Sequence, residues 1–85
     1  MNRKRLMRRL ASGAVQNVAF GDFAGLVRCC GFSLIRTSGS HHVFAHHRIR
    51  ELINLQNVAG EAKPYQIRQF LRLVERYNLE MEDES

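Results

Sequence analysis

The 85-residue chain has no tryptophan, one proline (Pro64) and only two cysteines, Cys29 and Cys30. Adjacent cysteines rarely bridge each other and no third thiol offers a partner, so a secreted scaffold built on disulfides is excluded. With so little proline there is no proline-rich linker. No repeat and no low-complexity run divides the chain either, and its length fits one domain. Long hydrophobic runs are also missing. The apolar residues near the N-terminus are interrupted by Arg8 and Arg9. That pattern excludes both the core of a signal peptide and a membrane span, so the expected setting is the cytoplasm, without a membrane partner.

Acidic residues are scarce outside the C-terminus. Glu80, Glu82, Asp83 and Glu84 supply half of the eight acids, and residues 1–79 hold 13 bases against 4 acids, a net +9. The whole chain carries +5. A folded body this basic attracts polyanions, and nucleic acid is the default candidate. The expected organisation is one domain over residues 1–79, with a basic helical extension at about 1–19 and an acidic, disordered tail at 80–85.

With 45% hydrophobic and 25% charged residues, the composition is that of a globular domain. Leu6, Met7 and Leu10 share a face of a short basic helix over 3–11, which stops at Ser12-Gly13. Val15, Val18 and Phe20 reach the core from a loop or turn. Asp22 is the expected N-cap of a second helix, whose Phe23, Leu26, Val27 and Cys30 recur at helical spacing. Gly31 supplies its left-handed end. Cys30 reads as core rather than as a reactive thiol.

Residues 32–37 read as a strand, Ser38-Gly39-Ser40 as a turn, and 41–46 as the returning strand of a hairpin. A third strand covers 52–58, with Ile53 and Leu55 on one face and Asn54 and Gln56 on the other. Gly60 to Lys63 form a turn, and Pro64 opens the last helix, which runs to Tyr77. Ile67, Phe70, Leu71, Val74 and Tyr77 make its apolar stripe; Arg68, Arg72 and Arg76 make a basic one. The expected fold is α+β in the order α-α-β-β-β-α, with a small three-stranded antiparallel sheet packed on helices.

Four histidines lie within seven positions: His41, His42, His46 and His47. Imidazole can accept a proton and imidazolium can donate one near pH 7. RNA cleavage needs both roles, one on the 2′-hydroxyl and one on the departing 5′-oxygen. In a strand His41 and His42 point to opposite faces. Phe44, the larger apolar anchor, draws His42 toward the core and leaves His41 on the open face. Set against this, any one of these histidines also reads as an ordinary strand residue. A zinc site fits poorly, because residues five apart in a strand are about 17 Å apart and on opposite faces. Lys63 stands before a helix N-terminus, where free amides and an ammonium together suit an anion. It also reads as a solvated turn residue. Tyr65 is open to two readings, base stacking or packing.

Taken in order, Gly31-Phe32, a strand, Gly39-Ser40-His41-His42-Val43-Phe44, a second strand, then Gly60, Lys63-Pro64 and an amphipathic helix resemble the HicA toxin family. The resemblance spans roughly residues 20–77. It implies a fold like that of double-stranded-RNA-binding domains. It also implies mRNA interferase activity centred on the histidine after Gly-Ser, which is His41; the expected cleavage uses no metal or other cofactor. The implied partners are mRNA and a HicB-like antitoxin that blocks the active face. Ser40, His42 and His46 are the candidate supporting residues, with His42 or His46 as second proton carrier. Gly39, Arg36, Lys63, Arg68 and Arg72 are candidate RNA or phosphate contacts. Two departures stand out, the basic N-terminal segment and a relatively polar third strand. Two other readings remain: an RNA-binding module without catalysis, and an inactive subunit that serves an antitoxin complex.

Overall fold

The computed structural model describes residues 2–82. Its elements are α1 (Arg3–Ala11), α2 (Phe20–Cys29), β1 (Phe32–Ser38), β2 (His41–His46), β3 (Ile53–Val58), β4 (Glu61–Ala62) and α3 (Pro64–Tyr77). The strands form one antiparallel sheet in sequence order, β1-β2-β3-β4. The α+β class is as expected, but the sheet has four strands rather than three. Ala59 and Gly60 both take positive φ, 52° and 86°. Two such residues match a two-residue hairpin turn to the twist of its strands. The segment expected to be only a turn therefore pairs Glu61 with Val58 and Ala62 with Asn57. A two-residue strand is too short to show a period in sequence.

One side of the sheet carries the core. Phe32, Phe44, Ile53, Leu55 and Ala62 are buried there against Phe23, Leu26 and Val27 of α2 and Ile67 and Phe70 of α3. The Phe70 ring meets Phe23 edge-on at 5.4 Å between centroids and lies 6.1 Å from Phe32. α1 packs on both α2 and α3 and buries Leu6 and Leu10 to 1% exposure. The basic N-terminal segment is thereby part of the core. Val15, Val18 and Phe20 are buried as expected.

Asp22 does not cap α2. The helix begins at Phe20, whose amide donates to Gly60 O at 2.8 Å, while Ala19 bridges to Glu61. A tertiary partner satisfies the first amide, so no side-chain cap is needed there. Asp22 instead sits within the first turn, where its negative charge favours the helix end. In α3 the buried set is Gln66, Ile67, Phe70 and Leu73, while Leu71, Val74 and Tyr77 are only partly covered.

Residues 80–82 do not leave the body as a free tail. Leu79 is 6% exposed, and the Glu82 amide donates to Cys29 O at 2.7 Å. Met7, Leu71, Val74, Leu79 and Met81 line an apolar hollow beneath this strap. The burial of Leu79 and the partial burial of Met81 outweigh the polarity of Glu80 and Glu82. Residues 83–85 of the expected tail lie outside the described residues.

Gly31 ends α2 with φ +97°, and a Cβ there would stand 2.7 Å from His46 Nε2. Replacement by alanine combines a left-handed strain with a clash against a buried ring. The expected cost of Gly31→Ala is about 1–3 kcal/mol, visible as a lower midpoint in thermal unfolding. An unchanged midpoint would show that the His46 ring moves aside freely.

Candidate active site on the open sheet face

The hairpin β1-β2 turns on Gly39 and Ser40, and Gly39 has φ +59°. Ser40 O accepts from the Asn57 amide at 3.0 Å and contacts His42 Nδ1 at 3.0 Å. A carbonyl only accepts, so His42 Nδ1 carries the proton. The turn is thus held from both β2 and β3, and His41 is the first residue after it.

Alternation along β2 puts His42, Phe44 and His46 on the helix side and His41, Val43 and Ala45 on the other. His42 packs its ring 4.8 Å from that of Phe20. His46 is 5% exposed, edge-on to Phe32 at 5.1 Å, and its Nδ1 accepts from the Arg48 amide at 3.1 Å. Burial, followed by the nearby His47 and Arg48, pushes the His46 pKa below its ordinary value. His47 is exposed and stacked parallel on His46 at 4.8 Å. His41 alone among the four is exposed on the face away from the helices. The two expected supporting histidines are therefore on the wrong side of the sheet to share a substrate with it.

The groups that do share its face come from neighbouring strands. Gln56 is the cross-strand partner of His41, and Asn54 sits diagonally from it, opposite Val43. Asn54 Oδ1 lies 3.3 Å from His41 Nδ1. Lys63 Nζ donates to Gln56 Oε1 at 3.1 Å and lies 5.4 Å from the ring centre of Tyr65. Tyr65 is 54% exposed, so it is not a packing residue. Behind this row stands Gln66, 5% exposed, whose Oε1 accepts from the Gln56 amide at 2.8 Å. Its Nε2 donates to Tyr65 OH at 3.4 Å. One buried amide thereby links the strand opposite His41 to the helix that carries Tyr65.

Arg36 reaches the same face through an irregularity. The register of β1 slips between Leu34, opposite Phe44, and Arg36, opposite Val43, leaving Ile35 as an extra residue. A bulge re-aims the side chains that follow it. Without the slip Arg36 would share the side of Leu34 and the helices; with it, Arg36 shares that of Val43 and His41. Ser38 pairs with His41 itself.

No family model, curated protein or solved structure matches the chain. What this face can do follows from its own groups. An exposed imidazole stands among Arg36, Lys63, Asn54 and Gln56, with an exposed aromatic ring beside the lysine. Cations and amides of this kind hold a phosphodiester, and the imidazole can exchange a proton with it.

Arg68 and Arg72 are exposed on α3, which packs against the opposite side of the sheet. They belong to a different element from His41, Arg36 and Gly39, which lie on the β1-β2 hairpin. Arg76 of the same stripe is engaged with Glu51 at 3.3 Å, and the Tyr77 hydroxyl donates to that carboxylate at 2.7 Å. The Tyr77 hydrogen bond, with the Arg76 charge, holds Glu51 below the usual carboxylate range. Burial pushes the Cys30 thiol up to about 11, helped by Cys29 and Glu82, which disfavours the reactive thiolate. Among the described residues no three His, Cys, Asp or Glu side chains converge on a metal position. Among the same residues no helix is long and apolar enough to cross a membrane.

Sequence reasoning named His41 and Lys63 but not the amides between and behind them. The signal was present in part, since Asn54 and Gln56 alternate with Ile53 and Leu55. Gln66 gave no signal, because a glutamine in the first turn of a helix is ordinarily solvated.

Proposed function

We propose that the chain is a HicA-type toxin, an endoribonuclease that cleaves mRNA and is held in check by a HicB-like antitoxin covering the open sheet face. The observation that carries this reading is the isolation of His41. It is the one exposed histidine on the face that also carries Arg36 and Lys63, while His42 and His46 are committed to packing. The order α2, four consecutive antiparallel strands of which the last has two residues, and α3, with both helices on one side, supports a fold like that of double-stranded-RNA-binding domains. The basic body supports a polyanionic substrate, and mRNA places the work in the cytoplasm.

In this mechanism the 2′-hydroxyl attacks the adjacent phosphorus and the bond to the 5′-oxygen breaks. His41 accepts the 2′ proton, and the departing oxygen takes up a proton from water or from the protonated ring. Arg36 and Lys63 offset the charge on the phosphate oxygens. The products are a 2′,3′-cyclic phosphate and a 5′-hydroxyl. Cleavage of RNA by the purified protein in EDTA, with those end groups, is the expected result. Salt-sensitive binding that leaves the RNA intact would replace the enzyme with a binding module.

A further inference from the structure

We propose that Asn54 is a positioning residue that fixes the tautomer of His41, holding the proton on Nδ1 and leaving the Nε2 lone pair as the proton acceptor. The side chains are diagonal neighbours on one face of the antiparallel pair β2-β3, close enough for long side chains to meet. Asn54 Oδ1 is 3.3 Å from His41 Nδ1. An amide oxygen only accepts, so the ring nitrogen facing it must carry the hydrogen. The neutral imidazole then has its lone pair on Nε2, at the far edge of the ring. Histidine in water favours the opposite form, with the proton on Nε2. An exposed histidine without such a partner would present its lone pair at Nδ1, next to its own backbone.

The ring also needs an orientation, and the same contact supplies it. Gln56, directly opposite His41, is unsuited to the task. Its Oε1 accepts from Lys63 and its backbone amide is bound by Gln66. Asn54 faces His41 from an otherwise apolar alternation, Ile53-Asn54-Leu55, and its exposed position imposes no packing demand. The hydrogen bond accounts for an amide at this position. The consequence for cleavage rests on reading the chain as a histidine ribonuclease; the tautomer itself does not.

The test is ¹⁵N NMR of the ring nitrogens of His41 at a pH where the ring is neutral, on the whole chain and on Asn54→Ala and Asn54→Asp. The expected wild-type signature is protonated Nδ1 and bare Nε2. Asn54→Ala should shift the population toward protonated Nε2, while Asn54→Asp, which keeps an acceptor, should retain the wild-type signature. In the cleavage assay Asn54→Ala should lower kcat about tenfold with KM unchanged, and Asn54→Asp should restore most of it. A wild-type ring protonated on Nε2, or a signature indifferent to Asn54→Ala, overturns the proposal. Should the wild type show the expected signature, and lose it in Asn54→Ala, but cut no RNA, the positioning role stands and the ribonuclease reading fails.

Discussion

His41→Ala should lower the rate of RNA cleavage by about 10²–10⁴-fold, the usual contribution of one positioned acid-base group. Binding of RNA and thermal stability should stay near wild type. His41 is exposed and makes its one side-chain hydrogen bond to an exposed asparagine, so its removal opens no cavity. His46→Ala should behave in the opposite way. That ring is buried against Phe32 and accepts the Arg48 amide, so its loss removes packing and leaves a donor without its acceptor. Initial rates on a labelled RNA, fluorescence anisotropy for binding and thermal melts separate the two. A His41→Ala variant that cuts as well as wild type would remove the chemistry from the open face, whatever the other histidines do.

Phe70→Ala should destabilise the domain by about 3–5 kcal/mol, the range for deleting a buried aromatic ring. Phe70 is fully buried and joins α3 to α2 through Phe23 and to the sheet through Phe32. Domains of this size are stable by about 5–15 kcal/mol in total, with small ones toward the lower end. The variant should therefore unfold at far lower urea concentration, and the proposed RNA cleavage should be lost by unfolding rather than by any change at His41. Phe70→Leu, which keeps most of the volume, should lose markedly less. A loss below about 1 kcal/mol in Phe70→Ala, like that of a surface change, would mean that the three rings are not the centre of the core.

Much of this was legible in the sequence because local patterns and tertiary structure agree. Phe44 and His41 read as opposite faces of a strand, and they are. Gly31 read as a left-handed helix end, and its φ of +97° bears that out. The disagreements share a physical cause: a partner distant in sequence replaced a local signal. Asp22 has the chemistry of a cap, but Gly60 O reached the helix first and moved its start to Phe20. Glu80 and Glu82 have the composition of a solvated tail, but Leu79 and Met81 hold the segment down. The bulge at Ile35 leaves no mark in composition, yet it decides which face Arg36 serves. The site was visible as a histidine and a lysine. The row of amides that relates them to one another was not, because hydrogen bonds between strands depend on register.

The strand order of the sheet bears on the rate at which the molecule forms. Each strand pairs with the one made just before it, so no strand waits for a distant partner. The β1-β2 and β3-β4 hairpins each close over two residues, and such closures take about 1–10 μs. The long searches are those of the helices: α1 packs on α3, and α2 must find β4 across the whole meander. The expected refolding sequence is an early meander carrying His41, Asn54 and Gln56 already in register. The docking of Leu6 and Leu10 is expected to come last and to close the core.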